Sequence, residues 1–90
     1  MKMINARDEF GNYKEYQVIL TYYSDLYKKD YVVYTNNKYN DKKELEIFIS
    51  YYDKSNEIIS SSISDVSEYN NIKKEVNSIL LTMKNESNKL

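Results

Sequence analysis

Glu44 and Glu46 are two carboxylates whose spacing could support acid–base chemistry, because alternate residues of a strand share a face. An exposed strand face carries charges for solvation in any case, and that is the reading adopted for both. The run Asp53-Lys54-Ser55-Asn56-Glu57 sets oxygen donors at alternate positions, as a calcium loop does. It lacks the central glycine and the downstream glutamate of such a loop, so it reads as a turn. Histidine and cysteine are absent, which removes Ser-His-Asp and Cys-His nucleophile systems and the usual zinc sites. With a single glycine, Gly11, the chain has no glycine-rich phosphate cradle. These absences lead to the expectation of a protein that is not an enzyme and holds no cofactor or metal.

Basic residues come in three pairs, Lys28-Lys29, Lys42-Lys43 and Lys73-Lys74, in a chain with 11 tyrosines. Aromatics beside cations are the chemistry of single-strand and RNA binders. A nucleic-acid-associated protein using a Lys/Tyr surface is therefore the alternative functional reading. The placement of the pairs argues against one contiguous patch. Successive turns of a meander alternate between the two ends of its sheet, and the third pair falls on the polar side of a helix. The charge balance, 13 basic against 14 acidic residues for a net of −1, gives no field directed at nucleic acid or an anionic membrane.

The elements that must position these side chains are legible from two periodicities. In residues 13–23, Tyr16, Val18, Leu20 and Tyr22 alternate with Gln17, Ile19, Thr21 and Tyr23, the period of a strand. Residues 3–8 form a weaker first strand, folded back as a hairpin arm by the turn around Gly11, where glycine enters the left-handed region cheaply. Further strands are predicted over 30–35 and 44–52, with Leu45, Ile47, Ile49 and Tyr51 on one face, and a weak edge strand over 57–63. The period then changes. Val66, Tyr69, Ile72, Val76, Ile79, Leu80 and Met83 mark one stripe of a helix over 66–86. Asp65 and Glu68 have capping-box spacing, and Lys84 and Lys89 lie toward the helix end.

Together these elements predict one domain over 1–90 of the α+β class: an antiparallel four- to five-stranded β-meander with one C-terminal α-helix packed on one face. The expected core joins Val18, Leu20, Leu45, Ile47, Ile49, Tyr69, Ile72, Val76, Ile79 and Leu80. Without cysteines there is no disulfide framework. The chain shows neither a signal peptide nor an 18-residue apolar run, so the expectation is a cytoplasmic protein that does not engage the membrane.

The order "DEFGN", "VILTYY", "KKDYVVYT", "ELEIF" and "EYNNIKKEVN" resembles the YrzB-like family of small bacterial proteins, a domain of unknown function typical of low-GC Gram-positive bacteria. The likeness spans roughly residues 8–80 and rests on pattern and order. It implies an intracellular bacterial protein without assigned activity, often encoded near a candidate Holliday-junction resolvase, and it brings no functional residues. Two departures stand out: family members are strongly acidic where this chain is near neutral, and Tyr69 stands where the family has a tryptophan.

The functional expectation is a non-catalytic protein–protein interaction module. One helix covers one face of the sheet, so Ile19, Val32, Tyr34, Phe48 and Tyr52 should form an apolar and aromatic patch on the other, unless the N-terminal segment folds over that face. That patch is expected to receive another protein or a second copy of the chain.

Overall fold

In the computed structural model, which describes residues 2–88 and the side chains of residues 2–84, the chain forms five strands and one helix. The strands are β1 (Met3–Arg7), β2 (Tyr13–Ser24), β3 (Lys29–Tyr39), β4 (Leu45–Asp53) and β5 (Ile58–Ser62), followed by α1 (Val66–Asn88). They pair antiparallel in the order β1-β2-β3-β4-β5. This is an α+β fold built on a meander.

Local chemistry accounts for the connections. Gly11 sits at φ 83° in the β1–β2 turn. Asp8 Oδ1 accepts the N–H groups of Phe10 and Asn12, each at 2.9 Å, so a side chain completes the turn. Asn40 and Asp53 do the same for the turns after β3 and β4: Asn40 accepts from Lys42 and Glu44, and Asp53 from Ser55 and Asn56. The Asp53 carboxylate that opens the 53–57 run is thus engaged in a turn.

Strand β3 extends beyond the expected 30–35. Thr35 pairs with Ile47 and Tyr39 with Leu45, so β3 carries two residues more than β4 between these pairs. Asn37 takes a positive φ of 62°. Thr35 Oγ1 accepts the Asn37 N–H at 3.0 Å and donates to the Glu46 carbonyl at 2.6 Å. Turn-forming asparagines here make a bulged strand where a loop is expected, because side-chain bonds absorb the irregularity.

A second bulge has a larger consequence. Val18 pairs with Tyr34 but Leu20 pairs with Val33, which leaves Ile19 as the extra residue of β2. Each residue of a strand alternates between faces, so one extra residue inverts the pattern on either side of it. Val18 therefore joins Ile4, Ala6, Tyr16, Val32, Tyr34, Phe48, Tyr52 and Ile59 on one face. Ile19 and Leu20 both pack with Tyr31, Val33, Ile49, Ile72 and Val76 on the helix face. The expected core is corrected accordingly: Val18 changes face, and Leu45 and Ile79 are half-buried outside both clusters.

The sheet is curled, and β1 comes back against β5. Lys2 Nζ closes the approach, 3.0 Å from both Tyr52 Oη and Glu57 Oε1. The face away from the helix is thus the concave interior of a curled sheet. Ile4 and Ala6 of β1 help to fill it. No helix among the described residues is long and apolar enough to cross a membrane.

Candidate functional site

Beneath the N-terminal half of α1, tyrosines meet helix polar groups in a row. Tyr22 and Tyr31 are cross-strand partners, as are Tyr31 and Tyr51, so three rings stand side by side on the helix face. Asp65 caps the helix by accepting the Glu68 N–H at 3.1 Å. The Glu68 carboxylate does not return to the cap as a capping box would have it. It turns inward and accepts from Tyr31 Oη at 2.5 Å and Tyr51 Oη at 2.7 Å. Asn71 donates to Tyr27 Oη at 2.8 Å, and Tyr22 donates to Glu75. Residues 68, 71 and 75 follow helical spacing beside the Ile72–Val76 seam, so the polar row locks the helix in register on the sheet.

Burial pushes the Glu68 carboxyl up, but the hydrogen bonds from Tyr31 and Tyr51 and the nearby Lys29 ammonium overcome it and hold the group below its ordinary value. Lys29 Nζ lies 3.8 Å from Glu68 and 4.8 Å above the Tyr51 ring. The bond to Glu75, helped by burial, pushes Tyr22 up to about 12. Every group in the row is paired. Its chemistry is that of an anchor.

The concave face opens at the β1–β2 turn into a mouth of about 380 Å³, with Tyr16, Tyr34 and Phe48 on its floor. Tyr34 and Phe48 stack at 5.5 Å between centroids, and Tyr16 meets both edge-on at 5.4 and 5.8 Å. Tyr34 Oη and Ser50 Oγ are hydrogen-bonded at 3.0 Å beneath.

Of the five residues expected to form a free patch, Val32, Tyr34, Phe48 and Tyr52 do share this face. Of the two readings of this face, open or covered by the N-terminal segment, the open one is corrected. Val32 is 0% exposed and Tyr34 is buried, because curling brings β1 over them. Ile19 is also corrected: its bulge turns it to the helix side. Phe48 and Tyr52 remain half-buried.

A second concavity lies on the helix side. The seam of α1 weakens along its length: Ile72 and Val76 are fully buried, Leu80 is half-buried, and Leu81 and Met83 are exposed. Between this half of the helix and the sheet runs a groove of about 820 Å³, floored by Ile19, Leu45, Ile47 and Leu80 and flanked by Glu44, Glu46, Lys73 and Lys84. Glu44 and Glu46 are exposed on its border. Lys84 lies a turn before the helix end, and Lys89 lies outside the described residues. The turns carrying Lys28 and Lys42-Lys43 stand at opposite ends of β3, while Lys73-Lys74 is exposed on α1. Among the described residues, no group of three or more acidic side chains is placed to hold a metal.

Over 34 residues the chain is 44% identical to the UPF0473 protein of Oenococcus oeni; that stretch is 38% of this chain and 30% of the relative's length. No family model and no solved structure matches the chain. The likeness is to a bacterial protein whose name states no activity, so it assigns no residue a role.

Leu45 as groove lining and Phe10 as an exposed turn residue escaped the sequence reading. A signal was available for Phe10: an aromatic between Asp8 and Gly11 in a tight turn has no core to enter.

Proposed function

We propose that this chain is a small non-catalytic protein–protein interaction module of the YrzB-like kind, acting in the bacterial cytoplasm and docking a partner protein in the groove beside the second half of α1. The observation that carries this reading is the open apolar floor of Ile19, Leu45, Ile47 and Leu80 beneath a helix whose seam has begun to part from the sheet. Apolar floors with mixed-charge borders suit a peptide or helix of another protein. The lack of histidine and cysteine supports a non-catalytic role.

The test is affinity capture from a bacterial lysate with the wild type and Leu45→Lys, read by mass spectrometry. Leu45 begins β4 outside both core clusters, so the variant should keep its unfolding transition and lose the partner. A partner retained equally by both proteins would reject the groove. Retention of nucleic acid that weakens steeply with salt would instead favour the Lys/Tyr reading.

A further inference from the structure

We propose that the β1–β2 turn and the mouth beside it form a self-complementary surface through which two copies of this chain associate, each inserting Phe10 into the aromatic mouth of the other. This surface meets the Leu45 groove only at Glu46 and Phe48, and the proposal does not depend on the groove.

Phe10 is 79% exposed, the most exposed of the large apolar side chains described. Its turn is held rigidly. Asp8 Oδ1 takes the N–H groups of Phe10 and Asn12, the Asp8 N–H donates to the Asn12 carbonyl at 2.8 Å, and the Gly11 N–H donates to the Asp8 carbonyl at 3.0 Å. Lys14 pairs with Asp8 at 3.4 Å. A side chain presented on such a turn loses little backbone freedom on binding, which removes one of the main costs of association. Beside it, the Arg7 guanidinium lies 4.9 Å from the Tyr13 ring centroid, and these two are cross-strand partners. An exposed Phe with Arg and Tyr at its flank has the composition of an interface hot spot.

Phe10 stands on the border of a mouth whose floor is the Tyr16, Tyr34 and Phe48 rings. An incoming phenyl ring can meet Phe48, the half-buried ring of the three, edge-on or offset, the geometries that aromatic pairs favour. Knob and hole lie side by side on one surface, so a two-fold rotation engages both at once and closes the assembly at two copies.

The rim's charges select the occupant. Arg7, Lys14 and Lys38 stand among Asp8, Glu9 and Glu46, three cations and three anions around one opening. Such a rim offers no net attraction to a polyanion or to a uniformly charged peptide. It suits a surface of the same mixed charge, and a second copy presents one, with its own Phe10 beside the same mouth. One turn and one mouth make an interface smaller than the standard ~800 Å² per partner, so the dimer should be weak.

Sedimentation velocity on the full chain from about 10 µM to about 1 mM should show monomer passing to dimer. Phe10→Lys should raise the dimer dissociation constant at least about tenfold while leaving the unfolding midpoint of the dilute protein unchanged, since Phe10 is 79% exposed and lies outside both core clusters. Lys38→Glu, which makes the rim net acidic, should also weaken the dimer, most strongly at low salt. Amide NMR shifts on dilution should cluster at residues 7–14 and around Tyr34 and Phe48, and vanish in Phe10→Lys. A wild type that stays monomeric throughout, a Phe10→Lys protein that still dimerises, a Lys38→Glu protein that dimerises as well as the wild type, or shifts confined to the α1 groove would each overturn the proposal. A mouth that takes an oligonucleotide or an unrelated protein while the chain remains monomeric would do the same. Leu45→Lys should dimerise normally, so failure here and failure of the groove are read independently.

Discussion

A single side chain, Glu68, determines much of how α1 meets the sheet. It is 6% exposed, and two phenols donate to its carboxyl and help to hold it below the ordinary carboxylate range. Replacing it with leucine leaves the buried Tyr31 hydroxyl without its acceptor, at a cost of about 1–3 kcal/mol in denaturant unfolding. The pH dependence has a defined sign. Glu68 in the folded protein lies below the ordinary value of 4.5, so the unfolded chain binds the proton more readily. The stability it contributes is complete above the ordinary glutamate range and is lost as pH falls through the lowered value. Asp8 and Asp53 are lowered too, so the acid loss is shared. Glu68→Gln keeps an acceptor oxygen without the charge. Its urea midpoint should fall less than the wild type's between about pH 6 and about pH 3. Equal slopes would show that Glu68 is not ionised in its buried site.

At the scale of the element, the β1–β2 hairpin depends on one backbone conformation. Gly11 has φ 83° and nothing within 4 Å of where a Cβ would stand, so space does not dictate glycine there. The left-handed backbone does. Gly11→Ala should cost about 1 kcal/mol, lowering the thermal midpoint by roughly 4–8 °C for a chain of this size. Gly11→Asn should cost less, because asparagine tolerates this region. Equal losses from both would point to a contact the turn makes elsewhere. The bulges act at the same scale. Period-two reading places Tyr16 and Leu20 on one face, which is correct only for an uninterrupted ladder. Ile19 interrupts it, and neither Ile19 nor its neighbours carry a glycine or proline to mark the place.

Across the whole molecule, the sheet buries apolar residues on both faces, and the two clusters interleave on β3: Val32 and Tyr34 point one way, Tyr31 and Val33 the other. Damage on either face should therefore reach the same cooperative unit. Ile72→Ala should cost about 2–5 kcal/mol and Val32→Ala about 2–3 kcal/mol. Both should shift a single transition that far-UV circular dichroism and tyrosine fluorescence report at the same midpoint. Separate midpoints in either variant would show that the helix layer and the curled interior melt independently.

The alternation of β-branched and aromatic residues, followed by the 3.6-residue stripe from Val66 to Met83, was sufficient by itself to predict four or five strands, one helix and their antiparallel order. Short connections with Asp, Asn and one Gly leave neighbouring strands little choice but to pair. The helix face was legible for the same reason, since Ile47, Ile49, Ile72 and Val76 need only local periodicity to be placed. What surrounds the other face was not. Whether Val32 and Tyr34 lie open or buried depends on the curl that brings β1 against β5, and curl accumulates over every strand and bulge of the sheet. Tertiary structure likewise decided that Glu68 turns inward, because only the assembled sheet brings Tyr31 and Tyr51, 20 residues apart in the chain, to one carboxylate. Local spacing specifies what each segment can form. The long-range register, set by bulges that no single residue announces, specifies which side chains are left facing water and so where a partner can bind.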